Sequence, residues 1–235
     1  MALDQQGPGW QARGEAALRA SGWLAEIAEP LQGRLIAQGR WVQRDPGQPL
    51  AMAGEEFGGL IGLASGCVFS RAGNAPAEVA MTDLHFAPVW MVSRSLVPGE
   101  RRVISVGAQT AVTALRIPQF ALFQLMAEHP ELTAHLFRNI GNIFARLALV
   151  AGDGQIRDGR GRCIATLLRI SDPRLQGIVP DRLPIGHLEL AGMANLSRQK
   201  AGEVLRELER NGVLELGYRW IAIRDRSRLL TMVED

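Results

Sequence analysis

The residues best suited to chemistry lie in Leu196-Ser197-Arg198-Gln199-Lys200-Ala201-Gly202-Glu203, near the C-terminal end of the 235-residue chain. Arginine can fork onto O6 and N7 of guanine, and glutamine onto N6 and N7 of adenine. A serine hydroxyl and the free N–H groups of a helix start suit a phosphate. Ser197 is a good N-cap for a helix that begins at Arg198. Ala201, Val204, Leu205 and Leu208 recur at helical spacing as its apolar face, while Arg198, Gln199, Lys200, Glu203, Arg206 and Arg210 sit around the rest. Asn211-Gly212 ends it with residues that tolerate a left-handed backbone.

The neighbouring elements position that helix. Leu188 to Ala194 reads as a preceding helix with small residues at Ala191 and Gly192, and Asn195-Leu196 as a tight turn. Leu214-Glu215-Leu216, a turn at Gly217-Tyr218 and Arg219-Trp220-Ile221-Ala222-Ile223 read as a β-hairpin. Charge pattern alone is satisfied by a solvated helix of mixed sign. The cap, the short turn, the small residues and the hairpin together point instead to a winged helix-turn-helix. The second helix of that motif enters the major groove of duplex DNA. Arg219 in the wing is placed to reach a neighbouring phosphate.

Other chemistries find less support. Cys67 and Cys163 are too few for a four-thiolate metal site and read as packed thiols. His85 is the only histidine of the β-rich region, too little for a cupin-type enzyme, which needs two or three histidines with a carboxylate. As a haem ligand the same lone histidine is a weak candidate. His135 and His187 lack carboxylate or cysteine companions at ligand spacing. The chain is therefore expected to use no metal and no cofactor and to be no enzyme. The apolar cluster of Leu84, Phe86, Trp90 and Met91, with Trp41, either fills a core or lines a pocket for an apolar or aromatic small molecule.

A formal net charge of +2 announces neither a nucleic-acid nor a membrane partner, so DNA must be argued from the local site. No apolar run reaches the ~20 residues of a membrane span, and the N-terminus lacks a signal-peptide pattern; the expected address is the cytoplasm, with no membrane partner. Gln11 to Gln38 reads as helical with a break at Pro30. Arg40 to Ile117 alternates short apolar runs with turn signals such as Pro46-Gly47, Ala53-Gly54, Ser65-Gly66 and Pro98-Gly99, the pattern of a sandwich, barrel or roll. After Pro118 the seam Leu132, Leu136, Ile140, Ile143, Leu147 and Val150 steps by three and four. It either docks on its own domain or packs against a symmetry mate. The second is favoured because the helix joins two dissimilar halves. Ala151-Gly152-Asp153-Gly154 reads as a hinge.

Over nearly its whole length the chain resembles the Crp/Fnr family of bacterial transcription regulators. The resemblance is closest from Leu196-Ser197-Arg198-Gln199 to Asn211-Gly212, and good in Pro46 to Glu55, Gly59 to Gly66, Leu115-Arg116-Ile117-Pro118 and His129-Pro130-Glu131-Leu132. It implies an α+β fold in three parts. These are a double-stranded β-helix (jelly-roll) sensor domain of the cyclic-nucleotide-binding type over residues 1–120, a long dimerisation helix over 121–153 and a winged helix-turn-helix over 154–235. It further implies a homodimer on a palindromic operator in double-stranded DNA, with Arg198, Gln199 and Glu203 at base-reading positions. RNA polymerase would be a partner if the protein activates. Cyclic-nucleotide binders of the family carry a Gly-Glu pair and a later Arg-Ser or Arg-Thr pair. Here Val92-Ser93 and Arg102-Val103 stand at those places. The carboxylate and hydroxyl are gone, and a buried ribose left unmatched costs ~1–3 kcal/mol per polar atom. Cyclic AMP is therefore expected to bind weakly or not at all. Trp90, Met91, Ser93 and Arg102 remain as an effector pocket for a small molecule. An unusual cassette that still answers to a cyclic nucleotide is the alternative.

Overall fold

The computed structural model describes residues 9–56, 58–73, 81–92 and 96–234. The chain divides into two compact units, one of Met1–Asn74 and His85–Phe144, the other of Ala75–Leu84 and Ala145–Asp235.

The first unit opens with α1 (Trp10–Arg19), a 3-10 turn (Gly22–Glu26) and α2 (Glu29–Ala37). Pro30, expected to break a helix, stands in the first turn of α2, where its missing N–H has no helical partner to lose. Eight short strands follow: β1 (Arg40–Arg44), β2 (Pro49–Ala51), β3 (Gly59–Ser65), β4 (Cys67–Ala72), β5 (Asp83–Phe86), β6 (Val89–Met91), β7 (Ile104–Ala108) and β8 (Val112–Pro118). They form two four-stranded sheets, ordered β1-β8-β3-β6 and β2-β7-β4-β5. Gly66 turns β3 into β4 at φ 86°, and a Cβ there would lie 2.3 Å from the Ala111 carbonyl oxygen. The helices α3 (Gln119–Glu128) and α4 (Glu131–Gln155) come next.

Side chains alternate across a strand with period two, and the first sheet is sorted accordingly. Leu60, Ala64, Trp90, Leu115 and Ile117 face a core built with Leu18, Trp23, Leu24, Leu35 and Leu122 from the helices. Ile61, Leu63, Val112 and Ala114 face the other way, onto Leu50, Val68, Val106 and Ala108 of the second sheet. This inter-sheet interior is a separate apolar cluster.

Helix α4 departs from expectation twice. It runs unbroken through Ala151-Gly152-Asp153-Gly154 to Gln155, so those residues are no hinge. Leu132 and Leu136 are buried in the first unit's own core, so the first two residues of the expected seam are already covered. The exposed large apolar residues of α4 are Phe137, Ile140, Phe144, Leu147 and Leu149, the first four stepping by three, four and three. Two stripes of the helix are apolar, and only one is occupied within the unit.

The second unit holds α5 (Gly159–Ile170), α6 (Pro173–Gln176), α7 (His187–Met193), α8 (Arg198–Arg210), β9 (Leu214–Gly217), β10 (Trp220–Ile223) and α9 (Arg226–Glu234). Ile164, Leu167, Leu190, Leu205, Leu208, Ile221 and Leu229 are buried in it. The division passes through β5 and α4, so that Asp83–Leu84 and Ala145–Gln155 fall in this unit, and with them a buried charge network. The Arg169 guanidinium donates to Asp83 Oδ1 and to Asp153 Oδ2, both at 2.6 Å, and Arg146 donates to Asp83 Oδ2 at 2.5 Å. Cys163 is buried, and burial pushes its thiol up to about 12, which keeps it protonated and inert. Among the described residues, no His, Cys, Asp and Glu cluster could hold a metal ion, and no helix is long and apolar enough to cross a membrane.

Candidate nucleic-acid interface

The interface is built from the N-cap outwards. The Ser197 hydroxyl oxygen accepts from the Lys200 backbone N–H at 3.1 Å and fixes the first turn of α8. Its own proton remains free to donate to a phosphate oxygen. The turn before it is set by backbone bonds, Leu196 N–H to Ala191 carbonyl at 2.8 Å and Asn195 N–H to Gly192 carbonyl at 3.2 Å. Asn195 carries the left-handed backbone of that turn, at φ 50°. Arg162 of α5 braces the same turn, donating to the carbonyls of Ala194 and Asn195. At the other end of the motif, Glu189 caps α7 by accepting from the Gly186 N–H at 3.0 Å.

Those supports settle which face of α8 points inward. Ala201, Gly202, Val204, Leu205 and Leu208 are buried. Gly202 is buried and faces His187 of α7, so it is not on the outer face. Arg198, Gln199, Lys200, Glu203 and Arg206 are exposed. Glu203 accepts from Gln199 Nε2 at 3.2 Å and lies 3.6 Å from Lys200 Nζ. The sole lysine and Gln199 are thus held beside one carboxylate. Of the residues singled out from the sequence, Ser197, Arg198, Gln199, Lys200 and Glu203 are brought together on this one surface.

The hairpin supplies the wing. Gly217 pairs with Trp220, so the two-residue turn is Tyr218-Arg219, one position later than expected. Arg219 takes φ 58° and lies 3.8 Å from Glu189, with its side chain 67% exposed. Tyr218 is 90% exposed beside it. The sequence placed Tyr218 in the turn, and the register of the hairpin sets it at the tip beside Arg219. Arg182 stacks over the Trp220 ring at 4.3 Å and braces the wing from behind.

The effector residues expected in the first unit separate. Trp90 packs on Trp23 with ring centroids 5.5 Å apart, in the core beneath the helices. Met91, one residue on, packs on the inter-sheet interior. Arg102 is buried. Ser93 lies outside the described residues. His85 Nε2 lies 3.4 Å from the Ser70 hydroxyl, a structural contact.

Residues 161–232 match the Crp-like helix-turn-helix domain model. The fold of the whole chain is similar to that of a CooA mutant from Carboxydothermus hydrogenoformans, with a TM-score of 0.67 at 16% identity over 99% of this chain and 98% of that one. It is similar to FixK2 from Bradyrhizobium japonicum, with a TM-score of 0.68 at 14% identity over 82% and 96% of the two chains. A CRP-family transcriptional regulator from Thermus thermophilus gives 0.66 at 19% identity over 83% and 97%. No curated relative matches the sequence. The chain thus carries a Crp-like helix-turn-helix domain, on a fold similar to that of these regulators.

Proposed function

We propose that the protein is a sequence-specific regulator that binds a palindromic operator as a homodimer, with α8 in the major groove of each half-site. The observation that carries this is the division of α8. Its apolar face is consumed by the domain core, while Arg198, Gln199, Lys200, Glu203 and Arg206 stand outward on a helix whose start is capped and braced from three sides. Ser197 and Arg219 hold phosphates, and the side chains of the first turns read base edges.

Dimerisation is supported by the exposed stripe Phe137, Ile140, Phe144 and Leu147 on α4. Phe137 and Phe144 are 68% and 73% exposed, and such a stripe at heptad spacing is stable when a second helix covers it. Leu147 and Ile140 are shared with the seam read from the sequence. Ile143 and Val150 are half-buried at its edge. In this assembly residues 1–120 sense, 121–153 join the subunits and 154–235 read DNA.

The effector is not cyclic AMP. Val92, where a cyclic-nucleotide binder carries glycine, packs on the helical core, and Val103 offers no hydroxyl beside Arg102.

Selection of bound fragments from a random duplex pool tests the function. The expected product is an inverted repeat whose half-sites are centred about one duplex turn, ~34 Å, apart. Affinity should fall steeply with salt. An unenriched pool, or an enriched motif without two-fold symmetry, would contradict it.

A further inference from the structure

The tip of the wing departs from ordinary turn chemistry. A two-residue hairpin turn favours glycine or asparagine, whose backbones accept positive φ. Tyr218 and Arg219 hold those positions instead, and Arg219 takes a left-handed φ of 58°. Local rules are broken in this way where the side chains themselves are needed. Tyr218 is 90% exposed, so its ring adds almost nothing to the packing of the fold.

The tip is nevertheless held in place. Ile221 of β10 exchanges backbone bonds with Leu183 at 2.8 and 3.0 Å, besides its pairing with Leu216 of β9. A Cβ on Gly217 would collide with the Trp220 ring, which therefore lies close over the strand behind the tip. The tip also has a fixed neighbour. A Cβ on Gly186, the N-cap of α7, would lie 3.7 Å from the Arg219 Cα, and Glu189 of the first turn of α7 reaches the Arg219 guanidinium. In a helix-turn-helix the second helix occupies the major groove while the first crosses the phosphate backbone. A tip seated at the start of that first helix stands over the backbone, whose far side is the adjacent minor groove. Leu188, in the same first turn, is 66% exposed, a second uncharged side chain where a phosphate needs a donor.

We infer that Tyr218 enters the minor groove bordering each half-site and selects base pairs that lack the guanine amino group. An A·T pair presents only acceptors in that groove, and a G·C pair adds the N2 donor. The tyrosine hydroxyl donates to such an acceptor, and the ring lies along the sugars of the groove wall. Arg219 holds the phosphate at the edge, where the narrow groove of an A·T run concentrates negative potential. The inference rests on the placement of α8 in the major groove proposed above and extends the recognised sequence beyond the reach of α8.

The test uses the full-length protein and the operator enriched from the random pool, with the base pairs bordering each half-site set in turn to A·T, G·C and inosine·C. Inosine lacks the amino group of guanosine, so inosine·C matches A·T in the minor groove and G·C in the major groove. Wild type should bind the A·T and inosine·C duplexes alike and the G·C duplex roughly 3–10-fold more weakly, the worth of one hydrogen bond. Tyr218→Ala should bind all three alike, at the level of wild type on G·C. Arg198→Ala should bind every duplex less tightly yet keep the preference at the border. An enriched operator without that preference, inosine·C behaving as G·C does, or a preference that survives Tyr218→Ala would overturn the inference and leave the reading of α8 standing. A pool that yields no operator would overturn both.

Discussion

Arg102 in the first unit and Arg169 in the second are withdrawn from solvent to the same degree, 5% and 6% exposed, yet their surroundings are opposite. Arg169 has Asp83 and Asp153 at 2.6 Å each, and Asp83 is held again by Arg146. Arg102 has no carboxylate within ion-pair distance among the described residues. A buried guanidinium with two carboxylates has its charge balanced, even though Arg169 Nη2 itself makes no hydrogen bond among the described residues. A buried guanidinium without one carries an uncompensated charge.

Breaking that balance should have the largest effect. Arg169→Met leaves two carboxylates buried against fewer cations and should cost about 3–5 kcal/mol, seen as a lower urea midpoint. A loss under about 1 kcal/mol would mean that water already solvates the network. The same substitution at Arg102 should have the opposite sign. Arg102→Met should raise stability by about 1–3 kcal/mol, as replacements of buried charge by apolar side chains can. A destabilised variant would make Arg102 a structural residue after all.

How far the sequence shows this contrast depends on the physics involved. The start of α8 was legible because a cap, an apolar face and a terminating Gly212 are local, and local signals survive without knowledge of the fold. The strands of the roll were legible for the same reason, through Gly47, Gly54, Gly66 and Gly99, all of which take positive φ. The phase of α4 was not. Its sequence carries two apolar stripes, and only the tertiary structure decides that Leu132 and Leu136 face the unit's own core while Phe137 and Phe144 do not. Trp90 and Met91 are adjacent, and period two sends them to opposite sides of the sheet once the strand is known. Pairing of Arg169 with Asp83 spans 86 positions, and no spacing rule reaches that far. The shortage of carboxylates around Arg102 is equally non-local.

The exposed stripe on α4 sharpens the same distinction at the surface. Ile140→Glu with Phe144→Glu should convert a dimer to monomers by light scattering while each subunit keeps its helical circular dichroism. A dimer that survives both changes would place the contact elsewhere. Removal of the α8 cap is expected to matter less. Ser197→Ala should cost about 1 kcal/mol of stability and lower affinity for all DNA sequences alike. A change confined to one base pair would mean that the hydroxyl reads sequence.

The smallest expected effect is a pH dependence of the second unit. The Asp158 carboxyl is held below its usual range by the Gly161 N–H it accepts from, and the Asp172 carboxyl by its bond from Arg174. Both pKa values fall on folding, so their stabilisation is complete above the ordinary value of 3.8 and is lost as the pH drops below it. Asp158 is exposed, so its share of the loss should be slight, and buried Asp172 should carry most of it. Asp158→Asn and Asp172→Asn should flatten the acid limb of Tm against pH, and an unchanged limb would assign it to other carboxylates.

The central claim is that the outward face of α8 reads bases. It is tested most directly by measuring the affinity of Arg198→Ala for the selected operator and for each of its single-base variants. A loss of about 1–3 kcal/mol, with discrimination relaxed at one symmetry-related pair of positions, is the expected result. A loss of equal size on every sequence would show that Arg198 touches only the phosphate backbone and would contradict the account.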